Sequence, residues 1–327
     1  MTETALPDIF VYTLRAHSDG TAAAITPNCD LGTGPDGTYD WVHLHHTLGA
    51  DNPWLRDRGG LDPLVVQALL APETRPRCTA YGDGAIVNLR GVNLNPGADP
   101  EDMVSIRLWI DTRKIISVRV RKLIAVEDIR TALETGRGPQ STGAFVTELA
   151  TRLTARMETQ IVSMAEQLDD LEEMMLAPGQ DPTPAEIADV RRTAIILRRF
   201  IAPQREALDR LIASDLAFMG ERDRVLMRET GDRVTRIVEE LEAARERATV
   251  LADQLRDRQA AQLNKHMFML SIAAAVFLPL TFITGLLGMN VGGLPWANNT
   301  SGFTIVSTLC FSMIAVLLAV FRRLRWL

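Results

Sequence analysis

MFMLSIAAAVFLPLTFITGLL (Met267–Leu287) and GFTIVSTLCFSMIAVLLAVF (Gly302–Phe321) are the two stretches that decide the architecture. From Met267 to Phe321 there is no Lys, Arg, Asp, Glu or His, a run of 55 residues in a chain that is 23% charged. At the helical rise the two runs make helices of roughly 32 and 30 Å, enough to cross a bilayer core of about 30 Å. A short turn beginning Gly288-Met289-Asn290 separates them. The reading is a membrane hairpin: first span 267–287, outer loop 288–301, second span 302–321.

Charge places the hairpin. Arg256, Arg258 and Lys265 precede the first span, Arg322, Arg323 and Arg325 follow the second, and Gly288–Ser301 has no charge. The positive-inside rule then puts both termini in the cytoplasm and the turn on the far side. The amino-terminal residues Met1-Thr2-Glu3-Thr4-Ala5 lack the basic and apolar regions of a secretory signal. The cysteines, Cys29, Cys78 and Cys310, form neither a disulfide framework nor a CxxC pattern. Of the 35 basic residues three follow the hairpin, leaving 32 against 41 acidic side chains in the first 266 residues. That acidic balance argues against a nucleic-acid partner and mildly favours gathering cations.

The expected fold class is α+β, in three parts. Residues 1–143 read as a cytoplasmic α/β domain, 144–266 as a cytoplasmic helical bundle and stalk, and 267–327 as the hairpin with a basic tail. In the first part Ile9–Arg15, Tyr39–His45, Arg77–Tyr81, Ala85–Arg90, Met103–Ile110 and Ile115–Val120 read as strands. The last four look antiparallel, with turns at Gly82-Asp83-Gly84 and Asp111-Thr112-Arg113. Pro63–Leu70 and Ile124–Leu133 read as helices, and Gly136–Gly143 as a linker.

Ala144–Leu176 and Pro184–Leu211 have helical spacing, the second opened by a capping box of Thr183 and Glu186. A third helix starts near Glu221 with no proline before Pro279. Val234, Ile237, Leu241, Ala244, Ala248, Leu251 and Leu255 step alternately by three and four, a heptad seam. Unbroken to Asn290 this helix measures about 105 Å; a fold-back near Gly231 is the alternative.

In the first span Leu270, Ala274, Leu278, Thr281, Gly285 and Gly288 recur every three to four residues, bordered by Ser271. The opposite faces carry Phe268, Ile272, Phe277, Leu280, Ile283 and Leu287. A stripe of small and weakly polar residues suits a water-filled path ringed by several copies, and it equally suits helix packing. Periodicity leaves both readings open.

Gly288-Met289-Asn290 at the outer end of the first of two C-terminal spans resembles the signature of the CorA family of divalent-cation transporters. Phe277-Leu278-Pro279-Leu280-Thr281-Phe282-Ile283-Thr284-Gly285 is similar to that family's first span, and the order of parts is similar along the whole chain. Val291-Gly292-Gly293-Leu294-Pro295, Glu73-Thr74-Arg75-Pro76-Arg77 and Ala202-Pro203-Gln204-Arg205 resemble the zinc-transporting ZntB branch. The resemblance implies a non-enzymatic homopentamer in a bacterial inner membrane, embedded in lipid, with the first spans lining a pore. The expected selectivity filter is Gly288, Met289 and Asn290. The expected pore lining is Thr281, Leu278, Ala274, Ser271, Leu270, Met267 and Gly285.

No resident cofactor is expected; the metal is cargo. Amide and carbonyl oxygens at the mouth offer neutral dipoles to an ion without holding it. The span has no carboxylate, thiolate or imidazole, so a dehydrated Zn²⁺ would lack its usual ligands. The expectation is a largely hydrated Zn²⁺, with Mg²⁺, Co²⁺ or Ni²⁺ as the alternative. A non-conducting membrane scaffold or sensor is the reading from another class. Magnesium-transporting relatives often have an acidic residue after Gly-Met-Asn, and Gly288–Ser301 has none. Proton coupling would need a titratable group outside the span, such as His266.

Asp253 lies at the depth where magnesium-type relatives place a sensing aspartate. It reads either as a cytoplasmic metal site or as a solvated stalk charge, with Asp257 and Glu246 weaker candidates. Lys265 and His266 form an inner-mouth collar or simply the positive flank of the span. His43, His45 and His46 read as structural residues, with a zinc cluster the lesser alternative, and the acidic turn Asp169–Glu173 reads as a solvated face, with cation gathering the alternative.

Overall fold

The computed structural model describes residues 9–47, 50–72, 75–177, 179–289, 291–292, 295 and 300–323. It comprises two compact units, one ending at Ala252 and one beginning at Asp253.

The first unit is built on a seven-stranded sheet: β1 (Phe10–His17), β2 (Ala22–Ala24), β3 (Thr38–His45), β4 (Arg77–Tyr81), β5 (Gly84–Gly91), β6 (Val104–Ile110) and β7 (Lys114–Arg119). Their spatial order is β2-β1-β3-β7-β6-β5-β4. All pairings are antiparallel except β3 with β7. The expected run of four antiparallel strands is therefore β4 to β7, and the parallel β3–β7 contact joins it to the N-terminal hairpin.

Two tight turns set the register. Gly82, at φ +56°, closes the β4–β5 hairpin with Tyr81 opposite Gly84; a left-handed conformation there favours glycine. Between β6 and β7 the Asp111 carboxylate accepts from the backbone N–H groups of Arg113 and Lys114, both at 2.9 Å. An aspartate that bonds its own turn in this way stabilises the reversal.

One face of the sheet is covered by α1 (Trp54–Asp57) and α2 (Pro63–Leu70). Val42, Leu44, Trp109, Ile116 and Val118 meet Leu55, Val65 and Leu69 there. The other face is covered by α3 (Ile124–Glu134) and the start of α4 (Thr142–Leu176), where Phe145 stacks edge-on against Trp41 at 4.7 Å. Short β2 and α1 went unread, because three alanines and a four-residue turn carry no periodic signal. The linker read at Gly136–Gly143 ends sooner than expected, since the Ser141 hydroxyl caps α4 by accepting from Ala144 N–H at 3.0 Å.

α5 (Pro184–Ala213) packs along β4 and β5 and so shields that edge of the sheet. Its capping box of Thr183 and Glu186 is formed. Gln204, buried in α5, accepts from the Arg90 N–H at 2.8 Å and fastens the helix to β5.

α6 is one helix from Glu221 to Leu287. Gly231 does not interrupt it, so the fold-back alternative does not hold. Every residue of the heptad seam is buried, from Val234 to Leu255. Full burial of each large apolar side chain contributes about 1.5–3 kcal/mol. Ion pairs fix the register within the first unit. Arg233 chelates Glu158 at 2.8 and 2.5 Å, and Arg247 chelates Glu172 at 3.0 and 2.8 Å. Both partners lie 75 positions apart. A constant offset means α4 and α6 run in the same direction, with the pairs two heptads apart. Arg198 of α5 closes the bundle onto Glu242 at 2.7 Å.

Candidate functional site

The second unit holds the end of α6 and α7 (Gly302–Arg323). Both are long and apolar enough to cross a membrane, with mean hydropathy of 2.2 and 2.4 over their most apolar windows.

Exposure along α6 divides by face. Ile272, Val276, Leu280, Ile283 and Leu287 are half-buried. On α7, Val306, Cys310, Met313 and Leu317 are half-buried and Phe321 is buried. Four of the six residues expected opposite the stripe belong to the covered set; Phe268 and Phe277 are exposed. The stripe itself is open throughout. Met267, Leu270, Ser271, Ala274, Leu278, Thr281, Gly285, Gly288 and Met289 are all exposed, Leu278 at 69%. So an apolar helix side with nothing of its own chain over it is left for lipid, water or another copy.

The hydroxyls on this segment have their protons engaged. Ser271 Oγ donates to Met267 O and Thr281 Oγ1 to Phe277 O, both at 2.8 Å. A hydroxyl used in this way still has lone pairs to accept with. It therefore presents an oxygen rather than a proton, which suits a passing cation or its water. Pro279 lies inside the helix, and its ring nitrogen donates no hydrogen bond to the turn before it.

The two glycines differ. A Cβ on Gly285 would meet nothing within 4 Å, so no contact within the chain requires a small residue there. A Cβ on Gly288 would come within 2.9 Å of Thr284 O, the carbonyl that accepts from Gly288 N–H as the helix closes. Gly288 is thus tied to the helix end itself. Asn290 lies outside the described residues, as do Gly293 and Leu294 in the loop, Arg325 in the tail, and Glu73 and Thr74.

Asp253 pairs with Arg256 one turn on, at 2.9 Å, and both side chains are exposed. Lys265 and His266 are exposed. Among the described residues no three His, Cys, Asp or Glu side chains are grouped to hold a metal ion.

In the first unit the remaining candidates belong to β3, the residue after it, and α4. His43 is fully buried, its Nδ1 2.7 Å from Ser117 Oγ and its ring stacked on Tyr12 at 4.9 Å. Burial first, then the Arg119 charge, drives its pKa well below the ordinary histidine range. His45 is exposed and 3.1 Å from Val120 O, while His46 is buried. In the acidic turn, Asp169 and Glu172 are held by Arg247. A cavity of about 450 Å³ between α4 and α5 is lined by Glu101, Asp170, Glu186 and Asp189. Glu186 is engaged by the Thr183 cap and Asp189 lies 3.5 Å from Arg192.

A family model described as CorA-like Mg2+ transporter protein matches residues 36–324. The divalent cation transporter CmaX of Pseudomonas aeruginosa is 40% identical over 321 residues, covering 98% of this chain and 96% of that protein. The zinc transport protein ZntB of Pectobacterium carotovorum is 36% identical over 290 residues, 88% of each. The structure of the full-length CmaX protein superposes with a TM-score of 0.86 at 38% identity, covering 99% of this chain and 100% of the other.

Proposed function

This chain belongs to the CorA-like family of transporters, and from that premise we propose that it moves divalent cations across a bacterial inner membrane as a homopentamer. Zn²⁺ is the cargo we favour, since a zinc transporter is among its relatives and the loop 288–301 has no acidic residue. Both termini are cytoplasmic in this reading.

The observation that carries it is the open stripe on α6. Nine positions from Met267 to Met289 are uncovered by their own chain, and none is charged. Five such stripes around an axis make a narrow path with a weakly polar ring at Thr281 and apolar constrictions at Leu278, Leu270 and Met267. Apolar constrictions close by expelling water. Gly288, Met289 and Asn290 form the outer mouth, where neutral oxygens meet a hydrated ion. Lys265 and His266 ring the inner mouth. Asp253 is the proposed cytoplasmic metal contact, reached only if the ion displaces Arg256. An inward potential of about 100 mV contributes roughly 4.6 kcal/mol to the entry of a divalent ion.

Uptake into liposomes tests this. Purified protein should load Zn²⁺ under an imposed potential, and Asn290→Ala should abolish loading. Silence of the parent protein under both a potential and a proton gradient would favour a non-conducting scaffold or sensor. A second cargo, Mg²⁺, is favoured by the description of the matched family model. Competitive uptake of Zn²⁺, Mg²⁺, Co²⁺ and Ni²⁺ ranks the ions.

A further inference from the structure

The sheet face under α1 and α2 is apolar over most of its width, but it changes character past the last turn of α2. Asn88 and Arg107 stand opposite each other across β5 and β6, and Arg90 and Ser105 form the register pair two positions along. Side chains alternate along a strand, so all four project from this one face. Arg107 is 1% exposed and Asn88 is fully buried. Arg107 donates from Nη2 to the Ala71 carbonyl at 2.9 Å, while its Nε and Nη1 have no partner. Both amide atoms of Asn88 and Nε2 of the buried His46 also lack partners. Burial first, then the charge of Arg107, disfavours the protonated form of His46.

A cavity of about 320 Å³ opens over this row, bordered by Arg90, Arg107, Arg121, Ser105, Asp102 and Phe200. Arg90 donates to the Met103 carbonyl at 2.8 Å and lies 3.9 Å over the Phe200 ring. Arg121 reaches Asp102 at 2.5 Å and is half-exposed at the rim. Asp102 pairs with Arg121, which leaves the Arg107 charge without a carboxylate among the described lining residues. A buried guanidinium with dry N–H groups is costly unless something neutralises it and accepts from it. A polar cavity of this size does not stay empty, given about 30 Å³ for each water. The positive charge of Arg107 disfavours the transported cation as its occupant.

We propose that this cavity binds a small oxyanion, a phosphate group either free or carried on a small metabolite, with Arg107 as the buried anchor and Arg121 at the rim. The planar fork of arginine matches an oxyanion with paired donors. Ser105 lines the cavity as a further polar residue beside the anchor.

Thermal unfolding of the full chain in detergent tests the assignment. Inorganic phosphate, glucose 6-phosphate and chloride are titrated separately at matched ionic strength. The expected result is a saturable rise in Tm with at least one phosphate-bearing probe and none with chloride. Phosphate alone acting identifies the free anion; glucose 6-phosphate acting more strongly identifies a carried one. Arg121→Ala should weaken the apparent affinity about tenfold. Arg107→Met should abolish the response and be at least as stable as the parent in chloride, since it removes an uncompensated charge. If Arg107→Met does not fold, Arg121→Ala decides alone. Superimposable phosphate and chloride curves would overturn the proposal, as would variants that keep the parent's phosphate response; either would leave water as the occupant.

Discussion

α6 carries two apolar stripes of the same spacing with opposite fates. From Val234 to Leu255 the stripe is buried by its own chain, with Leu241 at 0% exposure. From Met267 to Met289 the stripe is open, with Leu278 at 69%. Both recur every three to four residues, so periodicity does not distinguish them. The first has α4 and α5 to pack against, and chelating arginines that fix the register. The second has the half-buried side of its own helix turned away from it, and nothing of its own chain over it. A stripe satisfied within the chain serves stability. One left open needs another molecule to complete it.

The sharpest way to break this comparison is at the mouth. Asn290→Ala should reduce Zn²⁺ uptake into liposomes by more than tenfold while leaving denaturant unfolding of the first unit unchanged. Next come matched truncations in the two stripes. Leu241→Ala should cost about 2–4 kcal/mol in chemical unfolding, since it leaves a cavity in a packed seam. Leu278→Ala should leave that transition in place and instead raise ion leak through the resting protein, because it widens the constriction proposed there.

Smaller effects sharpen the buried stripe. Arg247→Ala removes contacts to both Asp169 and Glu172, but the group is about two-fifths exposed, so the loss should be only about 0.5–1 kcal/mol and should shrink in high salt. Glu158 tests the companion pair through pH. Arg233, by hydrogen bond and then by charge, holds its carboxyl below the ordinary glutamate range. A depressed folded pKa adds stability above the unfolded value of about 4.3, and that stability is lost as pH falls below it. Acid unfolding of Glu158→Gln should therefore be shallower than that of the parent below that pH, with the two curves parallel near neutrality.

The sequence exposed the two spans, the seam and the capping box because each rests on local pattern: uncharged length, a three-four step, and Thr183 with Glu186 at the right interval. The strand set was legible to within a residue or two at most ends. The parallel β3–β7 pairing was not, because partners far apart along the chain, such as Val42 and Ile116, leave no mark in either strand. Nor was the job of Arg107. It sits in a strand between Ile106 and Leu108, both fully buried, and only the folded structure shows that it lines a cavity. The open stripe was legible as a pattern but not as a surface, since two readings shared its periodicity and only burial separates covered from uncovered.

In the proposed transporter several copies complete what one chain leaves open. The mass of the intact complex in mild detergent or a lipid nanodisc measures this directly. Five copies are predicted; a monomer or dimer, unable to surround a path with its first spans, would contradict the account.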